Sequence, residues 1–335
     1  MTPELEAKLQ GLEEQLAADP ESEELRQEIL YEYLAVAGGD PRRVHHAVEY
    51  IRRFPRTVVA RAPFVHVDQA TFPDAFARIE QEWLRLRAEH PSDPDLARAH
   101  AALVAPCDRD RAVGILDDAL EQAPEAPGLW LELGRICPDP ARSLSALQKA
   151  RALGASQPNL LTWLAQAAIE ARDAVAAEHA ANELLAQVAE ARSIYGDKLD
   201  WPERGRDLWA RARSTSDSEA SARTVVGAIN DHAYRKHWAH TTLGVVAARN
   251  GDVPLATQHL RESSSVGSDF RLSSYGPSFL LARELCALGE WDAAADYLQA
   301  CAAFWNPEPL QDWVRQLRER QMPGLFEEEE VPDVD

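Results

Sequence analysis

Cysteine is scarce in this 335-residue chain. Cys107, Cys137, Cys286 and Cys301 are widely separated and form no CxxC pair. That spacing argues against a disulfide framework and against a zinc site, and it fits a reducing compartment. Glycine is sparse and β-branched runs are few, whereas Ala, Leu, Glu and Arg abound. These residues lose little side-chain freedom in a helix, and they predict an all-helical protein. No run approaches the roughly 18 apolar residues of a membrane span. The opening MTPELEAKLQGLEEQL lacks the basic start and apolar core of a signal peptide. Together these absences predict a soluble, cytoplasmic protein. Positive charge is also short: the net charge is −20, which disfavours binding bare nucleic acid by charge alone. No Gly-rich phosphate loop, G-x-S-x-G or H-E-x-x-H is present. Carboxylates are many, but none forms an isolated, apolar-flanked pair suited to acid–base work. The expectation is a protein that is not an enzyme and needs no cofactor.

What the chain does have is one pattern written twice. Leu243-Gly244 is followed by Ala247, Gly251, Ala256, Leu260 and Ser263. Leu281-Ala282 is followed at the same intervals by Leu285, Gly289, Ala294, Leu298 and Cys301, 38 residues on. A fixed internal period of this size is the signature of stacked helical repeats. The register extends back through Ala112, Leu116, Ala119 and Pro124 to Trp130, Leu133 and Gly134, then Ser143, Leu147 and Ala150, with a shortened turn at Pro138-Asp139-Pro140. Leu161, Leu164, Ala165 and Ala168 precede Ala177, Ala181 and Leu184, which repeat the Ser143 set after 34 residues. Small residues let antiparallel helices approach, and large ones fill the gaps. Extra residues from about Tyr195 to Asp217 interrupt the register, with Trp201 and Trp209 on a short Arg-rich helix. A separate helix, Ser218 to Ile229, is expected next. Ser263 to Ser265 and Ser273-Ser274 read as a solvated loop between the last two repeats. A helix from about Pro309 to Arg320 caps the array.

The N-terminal part is more divergent. Leu5, Leu9, Leu12 and Leu16 predict one amphipathic helix and Glu23 to Ala37 a second. Gly38-Gly39-Asp40-Pro41 is a turn in which Asp40 caps the next helix. Residues 56–72 are irregular, with Phe64-Val65-His66-Val67 as an extended segment lying along the first helices. A helix from Pro73 to Glu89 follows, with Phe76, Ile79, Trp83 and Leu86 on one face. Residues 1–40 hold eleven acids and two bases, and residues 42–61 six arginines against Glu49; we read these blocks as solvated faces that attract each other across a packed interface. The last nine residues, from Glu327, hold six acids and no base, too little apolar surface to fold. The expected division is a divergent helical region over 1–94, a repeat array over 95–326 and an acidic disordered tail over 327–335.

The W-x₂-L-G … A-x₃-F … P arrangement is that of tetratricopeptide repeats, and over roughly residues 70–326 the chain resembles a family of bacterial tetratricopeptide-like proteins. The residues that carry the resemblance are Trp83-Leu84, Ala167 to Leu185, His240 to Ala247 with Gly251-Asp252, Ser273 to Leu285, Tyr297-Leu298, Phe304-Trp305 and Met322 to Phe326. The trimmed turn at Pro138 and the acidic tail depart from the family pattern. Similar repeat tails occur on some extracytoplasmic-function sigma factors. The resemblance implies an all-α, right-handed tetratricopeptide-like α-solenoid with divergent N-terminal helices and a C-terminal capping helix. It further implies a protein or peptide partner, with a sigma factor or another regulatory protein as the narrower form, and it supplies no catalytic residues.

Two constellations remain. His232, His237 and His240 lie with Asp231 in one stretch, and His237 and His240, three apart, share a helix face from which both could reach a cation. No second pair at ligand spacing completes four ligands, and hydrogen bonding along the helix face is the other reading. Among the tryptophans, Trp130 takes the family's structural position and is expected in the core. Trp163 and Trp238 fall on the opposite face of their helices, with Arg135, Gln166, Arg249, Phe279 and Arg283. Aromatic residues and Arg dominate interaction hot spots, so these seven residues are the expected partner-binding groove. The alternative is that they pack on a neighbouring helix. The functional expectation is a non-catalytic interaction scaffold or adaptor. The alternatives are a regulator that sequesters a transcription factor and, less favoured, a metal-dependent enzyme at His237 and His240.

Overall fold

In a computed structural model of the chain, every regular element among the described residues is helical. The structure describes residues 2–35, 40–62, 65–200, 205–216, 218–267 and 269–326. Gly38-Gly39, Pro63, Phe64, Trp201, Asp217 and the acidic tail from Glu327 lie outside the described residues. The chain divides into two compact units, Met1–Ser156 and Gln157–Asp335. Among the described residues no helix is long and apolar enough to cross a membrane.

The first unit holds α1 (Pro3–Ala18), α2 (Glu23–Glu32), α3 (Pro41–Arg53), α4 (Pro73–Glu89), α5 (Pro94–Val104), α6 (Arg109–Gln122), α7 (Pro127–Ile136) and α8 (Pro140–Ala152). Its helix starts follow from local chemistry. The Asp40, Asp93 and Asp139 side chains each accept a backbone N–H of the first turn, with proline next in line. Such a cap satisfies an orphan donor, and proline loses nothing where no N–H is needed. α4 packs on α3 and α5, α5 on α6 and α7, and α7 on α8. Phe76, Ile79 and Trp83 of α4 are buried together with Leu96, Leu116 and Leu133.

The N-terminal charge blocks meet as expected. Arg42 of α3 pairs with Glu6 of α1 at 2.8 Å, and Arg53 with Glu21 just before α2. Exposed pairs of this kind contribute little individually, typically about 0–1 kcal/mol. Val65 and Val67 are buried in the core, and the Arg43 guanidinium holds the carbonyl between them, that of His66, at 3.0 Å. Trp130 differs from its expected place. Its ring is only partly buried against the core, and its indole N–H donates to the Pro124 carbonyl at 2.7 Å, while the neighbouring Leu129 is fully buried.

The second unit holds α9 (Leu160–Glu170), α10 (Ala174–Tyr195), α11 (Gly205–Ser214), α12 (Glu219–Arg249), α13 (Val253–Ser264), α14 (Phe270–Tyr275), α15 (Leu280–Ala287), α16 (Trp291–Cys301) and α17 (Leu310–Arg318). α9 packs on α10 and α12, α12 on α13 and α15, α15 on α16, and α16 on α17. The two copies of the pattern therefore fall on α12–α13 and α15–α16. The helix expected to stop at Ile229 does not stop. It runs unbroken into the first copy as the 31-residue α12, because no glycine or proline lies between Asn230 and Lys236. The serine-rich stretch is not a solvated loop either. Ser263 is fully buried at the end of α13, and Ser273-Ser274 belong to α14.

One turn recurs in register. Gly251 and Gly289 end their helices at φ +80° and +92°. The N–H that follows each returns to a carbonyl five residues back, Asp252 to Ala247 and Glu290 to Leu285, both at 2.9 Å. α9 ends the same way, Asp173 N–H to Ala168 carbonyl at 2.9 Å, but there the left-handed position is the exposed Arg172 at φ 56°. Glycine takes this conformation without a Cβ clash. Arg172→Gly is therefore expected to stabilise the protein by about 0.5–1 kcal/mol, read as a raised urea midpoint. A lowered midpoint would contradict the shared turn geometry.

Candidate interaction surface

The histidine cluster resolves into two separate arrangements. His237 of α12 is completely buried. Its Nδ1 lies 2.8 Å from the Ser263 carbonyl, and its Nε2 accepts the Ser278 backbone N–H at 3.0 Å. A carbonyl only accepts and an N–H only donates, so the ring must be neutral with its proton on Nδ1. Burial pushes its pKa down to about 4. Both ring nitrogens are spent on backbone groups, which leaves none for a cation shared with His240.

His240 faces another way, its Nδ1 3.0 Å from Nδ1 of His259 on α13. Burial, with help from His259 and Lys236, lowers its pKa to about 4 as well. Among the described residues no group of three or more His, Cys, Asp or Glu is placed to hold a metal ion.

The seven expected groove residues are divided between the two units. Arg135 belongs to the first unit, where it lies 3.6 Å from Glu132. The other six belong to the second. Trp163 and Gln166 on α9 are partly exposed. Trp238 is only 5% exposed, edge-on to His237 and Tyr234 of its own helix. Phe279 is also 5% exposed, between Trp305 and Phe326 at 5.7 and 5.4 Å. These two rings are packing residues, because the face assigned to a partner is taken up by neighbouring parts of the same chain. Arg249 crosses three helices. From the end of α12 it donates to the Ile169 carbonyl of α9 at 2.6 Å and pairs with Glu284 of α15 at 2.8 Å. Arg283 donates to the Phe326 carbonyl at 3.4 Å.

Three features were beyond sequence reasoning. Arg271 of α14 is buried against Asp269 at 3.0 Å, Asp231 at 3.3 Å and the Asn159 amide oxygen at 3.3 Å, with its guanidinium 3.8 Å above the Tyr234 ring. This network ties the start of α9 and the middle of α12 to α14, and its partners lie up to 112 residues apart in sequence. A hollow of about 400 Å³ opens between α13 and α16, lined by Thr257, Leu260, Arg261, Ser264, Ala293 and Asp296. The third is Phe326, 1% exposed against α15, whose burial no local pattern announces. A scan against protein-family models and a search of curated proteins give no match to this chain.

Proposed function

We propose that the chain is a tetratricopeptide-like, right-handed array of helix pairs that holds a protein or peptide partner and carries no chemistry of its own. The observation that carries this reading is the same turn closing α9, α12 and α15, each followed directly by its paired helix. Such arrays present the first helix of each pair to a partner. On those helices Trp163, Gln166 and Arg249 retain exposed surface, and they are the contact residues of this reading. The net charge of −20 favours a basic partner, of which a transcription factor such as a sigma factor is the narrower form.

Pull-down from a native lysate tests this. A partner recovered by the wild-type chain should be recovered at least about tenfold less by the Trp163→Ala, Gln166→Ala double variant, since a hot-spot aromatic is worth roughly 2 kcal/mol or more. Its helical circular dichroism should stay unchanged. Raising salt from low to physiological strength should weaken the same complex. Equal recovery by wild type and variant would overturn this face as the contact surface.

A further inference from the structure

After α17 the chain doubles back. Arg320 stands at φ 58°, a left-handed conformation uncommon for a residue with a side chain. The Gln321 N–H returns to the Gln316 carbonyl at 2.8 Å. Met322 is exposed, Pro323 is buried, and the Phe326 N–H closes a tight turn on the Pro323 carbonyl at 2.9 Å. The turn delivers Phe326 to the face of α15. Its ring stacks on Phe279 at 5.4 Å with 22° between planes. Trp305 lies on Phe279 in turn, and Trp313 stacks on Trp305 at 5.9 Å. Centroid separations of 4.5–7 Å are those at which aromatic pairs attract. Arg283 holds the Phe326 carbonyl, not a side chain.

The contacts made to this segment include an aromatic wall for one ring and a charged donor for one main-chain carbonyl. Neither depends on the ring's belonging to this molecule. The segment follows α17 through a turn that begins at Arg320, a residue in the left-handed region. We propose that Phe279, Trp305 and Arg283 form a seat for the aromatic side chain of a partner peptide with a Pro-x-x-Phe turn, and that residues 323–326 are the chain's own occupant, displaced when the partner binds. This rests on the partner-binding reading above and names its seat and its ligand chemistry. A tethered occupant acts at an effective concentration in the millimolar range, so it masks the seat from weak ligands without blocking a tight one.

The test uses the full-length chain and a fluorescently labelled peptide, Glu-Arg-Gln-Met-Pro-Gly-Leu-Phe-Glu. Phe326→Ala should bind the peptide at least about tenfold more tightly than wild type. Adding Arg283→Gln should reverse most of that gain, and a peptide with Ala in place of Phe should not bind. Equal binding by wild type and Phe326→Ala, or none by either, would overturn the proposal. A second measurement needs no variant. In wild type the Phe326 amide should exchange its hydrogen through local opening, far faster than the buried Ser278 amide held by His237. Exchange as slow as that of Ser278 would make the segment a fixed part of the core, and the seat would fall.

The two readings fail separately. A lysate partner lost from the Trp163 and Gln166 variant, with no peptide binding to Phe326→Ala, removes the seat and leaves the array. Peptide binding with an unaffected lysate partner leaves the seat and removes the α9 contact face.

Discussion

Acidification from pH 7 to pH 5 is expected to cost the second unit about 2 kcal/mol through His237 alone, from a folded-state pKa of about 4 against an unfolded value of about 6.5. The folded pKa lies below the unfolded one, so between these values the unfolded chain binds the extra proton. The stabilisation is fully present above about pH 6.5 and is lost as pH falls towards 4. His232 and His240, also held near 4 chiefly by burial, act in the same direction. Urea unfolding followed by circular dichroism at pH 7, 6 and 5 reads the effect. His237→Gln should be less stable at pH 7, because the Ser263 carbonyl and the Ser278 N–H lose a well-placed partner, each worth about 1–3 kcal/mol when left unmade. It should also show a shallower pH dependence. A wild-type stability that does not change between pH 7 and 5 would refute the buried neutral ring.

Gly244→Val is expected to destabilise by about 3 kcal/mol, the upper end of what overpacking a dense core costs. A Cβ on Gly244 would stand 2.2 Å from Leu281 Cδ2 and 3.1 Å from His259 Cβ, where α12, α13 and α15 converge. Leu281 is itself buried, so the clash has nowhere to go. The pair is reciprocal, and a double-mutant cycle exposes it. Leu281→Ala in wild type opens a cavity at a cost of about 2–5 kcal/mol. In a Gly244→Ala background the added methyl occupies part of that space, so the two changes should couple favourably by about 1 kcal/mol or more. Strictly additive effects would mean that the two residues do not meet. Ala282, the counterpart of Gly244 in the second copy, already carries a methyl group in the same register and is completely buried.

Much of this fold could be read before any coordinates, because its determinants are local. Asp before Pro marks the starts of α3, α5 and α8, and Gly251 and Gly289 mark the ends of α12 and α15. The burial of Cys301 follows from its place in the doubled pattern. The interaction surface was far less legible. His237 looked like half of a cation pair because its true partners are backbone groups 26 and 41 residues away, and backbone partners leave no trace in side-chain spacing. Trp238 sat on the face assigned to a groove. That assignment assumed bare helices side by side, whereas its ring folds against Tyr234 and His237. Phe279 is covered by a segment more than forty residues downstream that carries only one aromatic ring. For His237 and Phe279 the deciding contact joins elements whose sequence distance no helical period encodes.

The continuity of α12 has a consequence for length variation. At about 1.5 Å per residue its 31 residues form a rod about 46 Å long. Its front half carries Ala222, Val225 and Ile229, packed with Leu208 of α11, and its rear half carries His237 and Gly244 at the contacts with α13 and α15. One residue inserted between Asn230 and Lys236 would turn one half against the other by about 100°. Leu208 and Leu281 could not then both keep their seats. Insertions of about seven residues, two full turns, would nearly restore the angle while moving the halves about 10 Å apart. The stretch between the two halves is thus a phase-setting spacer, and its residue number is constrained even where its side chains are not.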